Sequence, residues 1–149
     1  MRLYCFTNMY LSSIQNGIQP LHATVEMFLK YHNQASIQHR LLYDWANFHK
    51  TVIVLNGGPT ENFFDIDEVV SQTEYPYASF YEPGLSGALT CICVVVPTKI
   101  YEPKVAEDLT TFLKAILNEN VDDKTSYDED YTEVEIKLID LIQSCSLAK

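Results

Sequence analysis

The first side chains suited to chemistry form a polar group that ends in a histidine. They follow a short apolar segment at residues 3–7 and comprise Ser12, Ser13, Gln15, Gln19 and His22. In open α/β sheets, ligands bind where a strand ends and the next helix begins, because free backbone N–H groups converge there. The order of residues therefore predicts a ligand site around His22. The alternative is a histidine at a helix start that makes one structural hydrogen bond.

A second group surrounds a turn in the middle of the chain. Glu82 precedes Pro83 and Gly84 between two apolar segments, and Thr90 begins the second of these segments. A carboxylate at a strand end can orient a water molecule or a ribose hydroxyl, and Thr90 is expected to face the same cleft. Acidic residues also occur in turns for ordinary reasons, so Glu82 has a purely structural interpretation as well.

Sequence signatures of cofactor and metal sites are missing. The chain has no Walker loop, no Gly-x-Gly-x-x-Gly, no Gly-x-Ser-x-Gly and no His-Glu-x-x-His. Cys91 and Cys93 alternate within an apolar run, where both share one face, and further soft ligands at suitable spacing are lacking. We interpret them as core cysteines and expect neither a metal nor a cofactor.

Apolar patterning predicts the elements that position these groups. Four strands are expected at residues 3–7, 51–55, 77–81 and 89–96, the last two as an antiparallel hairpin. A first helix is expected from Gln19, with Pro20 in its first turn. Its apolar residues recur at helical spacing and are Leu21, Val25, Phe28 and Leu29. Further helices are expected near residues 41–45, from a cap at Thr60 through residue 70, and at residues 103–117 and 131–145.

This order predicts an α/β fold with a four-stranded mixed sheet flanked by helices. Strands separated by helices favour a largely parallel sheet with one antiparallel hairpin. We expect one α/β domain at residues 1–118. Residues 119–149 are expected to form an acidic linker and a C-terminal amphipathic helix, whose apolar positions include Val134, Leu138, Leu141 and Ile142.

Charge and composition restrict the classes of function. The 149 residues carry a formal charge of −10 and are 47% hydrophobic, which is typical of a globular domain and argues against coating nucleic acid by bulk electrostatics. Residues 1–60 nevertheless hold four basic against two acidic side chains, with Lys30, Arg40 and Lys50 among the basic ones. An anionic ligand is expected to meet this part.

Four cysteines and the absence of long apolar runs predict a reduced, cytoplasmic protein without a membrane segment.

Taken in order, several of these residues resemble the class II peptidyl-tRNA hydrolases. The family's Gln-x-x-His-Ala segment corresponds to residues 19–23, a tryptophan (Trp45) precedes the second predicted strand, and an acidic turn at Glu82 is followed by a strand opening at Thr90. The resemblance covers residues 2–117. Two departures are clear: Gln15 stands where the family has a functional loop lysine, and Glu82 stands where the family has an aspartate.

The resemblance implies hydrolysis of the ester that joins a peptide to the 3′ ribose of tRNA, with the acceptor end of tRNA as the partner. The implied catalytic residues are His22, Glu82 and Thr90. The expected substrate-binding residues are Ser13, Gln15 and Gln19, together with Lys50 because of the positive charge of residues 1–60. Glu82 would orient or activate water, while His22 and Gln19 would hold the loop or the terminal adenosine.

Two functions stay open at this point, because the missing lysine removes a cation that stabilises negative charge. The first is an enzyme that hydrolyses this ester. The second is a catalytically inactive binding module of the same fold that recognises a protein or a nucleotide-like ligand. The C-terminal helix would then dock on a protein partner or form a homodimer.

Overall fold

The structure, a computed structural model, describes residues 1–103 and 131–149. Its sheet has the strand order β2-β1-β4-β3. The strands are β1 (Arg2–Asn8), β2 (Val52–Gly58), β3 (Tyr77–Glu82) and β4 (Ala88–Val96). The helices are α1 (Gln15–Tyr31), α2 (Ile37–Asp44) with a π-helical turn (Trp45–His49), α3 (Asn62–Ser71), α4 (Thr98–Tyr101) and α5 (Glu133–Ser144). The predicted helix at 103–117 and the acidic linker after it lie outside the described residues.

The sheet confirms the prediction of an α/β fold with four mixed strands and a hairpin, and corrects its details. β1 pairs with β2 in parallel, while β4 pairs antiparallel with both β1 and β3. Only one of the three strand pairs is parallel, so the expectation of a largely parallel sheet is wrong. The reason is that β4 lies between β1 and β3 and runs antiparallel to both. β2 also continues to Gly58, so Asn56 does not end it as predicted.

One face of the sheet is covered by α1 and α2. Its core contains Leu3 and Cys5 from β1, Cys93 from β4, and Met27 from α1. All three cysteines of β1 and β4 are buried free thiols, as the sequence predicts for Cys91 and Cys93. Burial raises the pKa of the Cys91 and Cys93 thiols, because a thiolate is poorly solvated there. These cysteines serve as small core residues.

The opposite face is covered by α3 and α5. Leu138, Ile139 and Ile142 of α5 lie in one core with strand residues such as Phe6 and Val94. The predicted C-terminal helix therefore exists, but residues 131–149 pack into the same core as residues 1–103. Its apolar face is occupied by the chain's own sheet and is not available to a protein partner or a second copy. No helix of the described residues is both long and apolar enough to cross a bilayer.

The first helix differs from its prediction in start and in orientation. It begins at Gln15, so Pro20 lies in its interior, where its ring is buried and it donates no backbone N–H to the helix. The residues buried against the sheet are Gln19, Pro20, Ala23, Met27 and Tyr31. The predicted apolar residues Leu21, Val25 and Leu29 are exposed instead.

The start of α3 also differs from its prediction. Glu61 occupies the N-cap position of α3, and its side chain makes no capping hydrogen bond. The hydroxyl of Thr60 accepts a hydrogen bond from Asn8 Nδ2 at 3.1 Å. Thr60 therefore joins the ends of β1 and β2 rather than capping the helix.

Candidate functional site

Three polar side chains meet where β3 ends and β4 begins. Thr90 Oγ1 donates a hydrogen bond to Gln19 Oε1 at 2.7 Å, and Gln19 Nε2 donates to Glu82 Oε2 at 2.9 Å. Gln19 and Thr90 are buried, at 3% and 2% exposure, whereas Glu82 is half-buried. The amide of Gln19 thus connects a buried hydroxyl to a carboxylate that reaches solvent. We call Gln19, Glu82 and Thr90 the polar relay.

The sheet topology explains why these residues meet. β3 and β4 are adjacent and antiparallel, so the end of β3 at Glu82 lies beside the start of β4. α1 packs across both strands and turns Gln19 inward. The connection between the strands is a short 3-10 turn (Pro83–Leu85) followed by Ser86 and Gly87, both with positive φ. A tight turn of this kind fixes the direction of the Glu82 side chain.

The Glu82 carboxylate is held by neutral donors. Its Oε1 accepts from the backbone N–H of Gly84 at 3.0 Å, and its Oε2 accepts from Gln19. The hydrogen bond from Gln19, with that from Gly84, lowers the pKa of Glu82 below its usual value, and the nearby His22 adds to the effect. The carboxylate therefore stays ionised at neutral pH. A carboxylate accepts up to about four hydrogen bonds, so it retains capacity for a water or a ligand hydroxyl.

His22 lies next to the polar relay on the solvent side. Its ring stacks on Phe80 of β3, with ring centroids 4.7 Å apart and planes 15° from parallel. The expected position of His22 one turn into the helix is wrong, because α1 begins seven residues before it. The imidazole is exposed and forms, with Phe80, a small aromatic surface beside the carboxylate.

The other predicted site residues lie away from the polar relay. Gln15 folds back on its own loop, where its Oε1 accepts from the backbone N–H and the hydroxyl of Ser12. Ser13 is an exposed loop residue before α1.

Lys50 is separated from the polar relay by the length of the sheet. It precedes β2 and has a left-handed backbone, whereas the relay lies at the end where β1 and β2 finish. A seven-residue strand spans about 20 Å, so a ligand at Glu82 does not reach Lys50 directly. The structure therefore does not bring Lys50 together with the polar relay, and its role in substrate binding stays a prediction.

No protein-family model and no curated protein matches this sequence. The resemblance to the class II peptidyl-tRNA hydrolases therefore depends on the residues quoted above. The site is best interpreted from its own geometry.

Two features of the site were missed by sequence reasoning. Phe80 was treated only as a strand residue, although its alternation with Ala78 in β3 places it on the α1 side of the sheet. The chain segment after α5 was also missed: Asn56 N donates to Ser146 O, and Ala148 N donates to Val54 O. This segment borders a cavity of about 250 Å³ at the ends of β1 and β2, lined in part by Asn8, Asn16 and Asn56.

The chemistry available at the polar relay is that of an oriented carboxylate. Within residues 1–103 and 131–149, no group of three or more His, Cys, Asp or Glu side chains is arranged to hold a metal ion. The hydroxyl proton of Thr90 is already donated to Gln19. The arrangement can therefore position a water or a sugar hydroxyl at Glu82 and stack a planar group near His22.

Proposed function

We propose that the chain binds the acceptor end of a peptidyl-tRNA and hydrolyses the ester that joins the peptide to the 3′ ribose. The observation that supports this function best is the polar relay, which joins Gln19, Glu82 and Thr90 through two hydrogen bonds. These are the residues that carry the resemblance to the class II peptidyl-tRNA hydrolases. His22, the fourth such residue, lies beside them on Phe80.

In this proposal Glu82 orients the attacking water. Ester hydrolysis requires a water held in line with the carbonyl carbon, and an ionised carboxylate accepts one of its hydrogen bonds. Gln19 acts as a positioning residue, because it holds Glu82 Oε2 and is itself held by Thr90. Because the pKa of Glu82 is lowered, the carboxylate is a weak base and contributes mainly by orientation.

The stacked pair of His22 and Phe80 supplies the surface for the 3′-terminal base. Aromatic side chains bind unpaired bases by stacking, which contributes about 1–3 kcal/mol per base. The ring of His22 is exposed, so a base can approach it from solvent. A base stacked there would place its ribose near the Glu82 carboxylate.

A second candidate function, recognition of the acceptor end without turnover, is favoured by two observations. The hydroxyl of Thr90 donates to Gln19, so it is not directed at a developing oxyanion. Gln15 stands where the family has lysine, and its side chain is bonded to Ser12. Loss of one oxyanion donor typically costs about 10²–10³ in rate, which leaves a slow enzyme or a binding module.

The two functions are separated by measuring binding and turnover on the same substrate. Peptide release from a peptidyl-tRNA analogue is followed at high protein concentration, and binding of an acceptor-stem minihelix ending in CCA is followed by fluorescence anisotropy. We compare wild type with Glu82→Gln, which keeps the shape of the side chain but removes its charge. Glu74→Gln, an exposed position before β3, is the matched control.

The proposal expects wild type and Glu74→Gln to release peptide, and Glu82→Gln to be at least about 100-fold slower. Minihelix binding without release in wild type would favour recognition without turnover. If a folded wild-type chain showed no binding and no release, both functions would be overturned. Tighter binding of a minihelix with an unpaired 3′ adenosine than of a blunt one would place the contact at the terminal base.

A further inference from the structure

A cavity of about 250 Å³ lies where the parallel strands β1 and β2 end. The chain leaves β1 toward α1 on one face of the sheet, and it leaves β2 toward α3 on the opposite face. Connections that diverge in this way open a crevice at the carboxyl ends of the two strands, and open α/β sheets bind ligands at such a point. We call this cavity the β1–β2 cavity. The residues of the polar relay are not among the described residues that line it.

Two asparagine side chains of the β1–β2 cavity each keep one hydrogen-bonding atom unused. Asn56 Oδ1 accepts from the backbone N–H of Gly58 at 2.9 Å, which fixes the orientation of the amide and leaves Nδ2 as the unused donor. Asn16 Nδ2 donates to the main-chain oxygen of Lys149 at 3.1 Å, which fixes that amide in the opposite sense. Asn16 Oδ1 is buried and accepts from none of the described residues.

The third asparagine of the cavity shows what a structural amide looks like in the same place. Asn8 Oδ1 accepts from the N–H of Tyr10, and Asn8 Nδ2 donates to Thr60, at 3.1 Å each. Both of its polar atoms therefore hold the chain together. A buried amide oxygen without a donor costs free energy, which a donor on a bound ligand recovers. Asn16 thus calls for a ligand that donates a hydrogen bond, and Asn56 for one that accepts it.

The β1–β2 cavity lacks the groups that bind a phosphate. An anion at the end of a strand is normally held by free N–H groups at the start of the next helix. The N–H groups of the first four residues of α1 all donate to Ser12 or Ile14. Of the lining residues that the structure describes, Lys149 alone is charged. A neutral ligand therefore suits the cavity better than an anion.

Apolar side chains indicate the shape of this ligand. Met9, Leu11 and Leu147 line the cavity together with the asparagines. Pockets that take up a single base contact its faces with apolar side chains and read its edge with hydrogen bonds. The volume of the cavity is near the lower end of the range of ligand pockets. A small flat heterocycle meets all of these conditions.

We propose that the β1–β2 cavity binds a neutral heterocycle that carries an amino group beside a ring nitrogen, the pattern that adenine presents. Asn16 Oδ1 accepts from the amino group, and Asn56 Nδ2 donates to the ring nitrogen. Asparagine reads adenine in double-stranded DNA through the same pair of groups, an acceptor for the amino group and a donor for a ring nitrogen. This binding does not depend on ester hydrolysis at the polar relay, because the two sites share no described residue.

Isothermal titration calorimetry of the full chain with adenosine tests the proposal. We expect wild type to bind adenosine with a Kd on the order of 0.1 mM. Asn56→Asp keeps an oxygen that accepts from Gly58 but has no Nδ2 donor, so binding should weaken at least about tenfold. Asn33→Asp adds the same charge at an exposed residue after α1 and should bind like wild type.

Purine riboside, which is adenosine without its amino group, tests the contact with Asn16. Wild type should bind it at least about tenfold more weakly than adenosine, because Asn16 Oδ1 then receives no donor. Asn16→Leu removes this acceptor, so the variant should bind both nucleosides with equal affinity. The preference for adenosine in wild type and its loss in Asn16→Leu together assign the amino group to Asn16.

Three results would overturn the proposal. The first is a folded wild type that binds no adenosine at about 5 mM, well above the expected Kd. The second is wild type that binds adenosine and purine riboside equally. The third is adenosine binding that persists in Asn56→Asp and is lost in His22→Ala, which would place the base on the surface of His22 and Phe80. Far-UV circular dichroism of each variant shows that the fold is intact.

Discussion

Glu135 and Glu82 are both held by neighbouring side chains, and they differ in what surrounds their charge. Glu135 of α5 is 5% exposed, forms an ion pair with Lys99 Nζ at 2.6 Å and accepts a hydrogen bond from the Tyr75 hydroxyl. Glu82 is half-buried and is held by an amide side chain and a backbone N–H. The pKa of each carboxyl is lowered, but by different groups.

The difference separates a structural carboxylate from one available for chemistry. Burial alone would raise the pKa of Glu135, and the hydrogen bonds from Lys99 and Tyr75 outweigh it. Glu135 also completes a capping box, because its Oε2 accepts from the backbone N–H of Thr132 at 2.9 Å. Its oxygens are used within the chain. Glu82 is kept ionised by neutral donors and still faces solvent, where a ligand can use it.

The largest expected effect is the loss of the structural carboxylate. Glu135→Ala leaves the buried Tyr75 hydroxyl without its acceptor and removes one of the two hydrogen bonds of the capping box of α5, so we expect a loss of about 3 kcal/mol in the free energy of unfolding. Urea denaturation measures it. Glu133→Ala, which breaks the exposed pair with Lys137 on the same helix, should have a much smaller effect. If the two substitutions lowered the free energy of unfolding equally, the contrast between the buried Glu135 and the exposed Glu133 would be contradicted.

A smaller loss is expected inside the polar relay. Thr90→Val leaves the buried Gln19 Oε1 without its donor, which should cost about 2 kcal/mol of stability. Thr98→Val, at an exposed hydroxyl of α4, is the control and should be nearly neutral by the same urea denaturation. If Thr90→Val were also neutral, the hydrogen bond to Gln19 would not restrain the site.

The stability contributed by the Glu135 carboxylate should depend on pH in the acid range. Because the pKa of Glu135 is lowered in the folded chain, its ionised form contributes stability above the unfolded value of about 4.3, and this contribution is lost as pH falls through the folded pKa. The stability advantage of wild type over Glu135→Gln should therefore shrink below about pH 4.3. Urea midpoints between pH 3 and pH 7 measure it, at about one-unit intervals. If the stability advantage of wild type over Glu135→Gln stayed constant over this pH range, the lowered pKa of Glu135 would be contradicted.

The smallest expected effect is a change in the pKa of a single side chain, Glu82. Gln19→Met removes the donor to Glu82 Oε2, so the pKa of Glu82 should rise toward its ordinary value. A carbon-13 NMR titration of the Glu82 carboxyl measures this change. Gln15→Met lies one helical turn earlier, in a residue bonded to Ser12, and should leave the pKa of Glu82 unchanged. A similar rise in both variants would mean that α1 as a whole, and not Gln19, sets the pKa.

Much of the fold was predictable because strands and turns have local signals. The β-branched run beginning at Val52 and the apolar run ending at Val96 form strands as expected, and the hairpin at Glu82 follows from its turn residues. The place of β4 between β1 and β3 was not predictable in this way. It depends on pairing between segments far apart in the chain, and local patterns carry no information about it.

The candidate site was predicted in part for the same reason. Gln19, Glu82 and Thr90 were singled out as residue types, and the structure brings them together because α1 crosses β3 and β4. Lys50 was grouped with them on charge alone, but charge along the sequence does not tell which end of the sheet a residue occupies.

The sequence by itself determined which segments form strands and helices, since hydrophobic period and turn chemistry act over a few residues. Only the tertiary structure decided which side of α1 is buried. Leu21, Val25 and Leu29 have the helical spacing of a core face, yet the opposite side of the helix packs on the sheet, with Pro20, Ala23, Met27 and Tyr31. Periodicity shows that an apolar face exists, whereas the space above the neighbouring strands decides which face is buried.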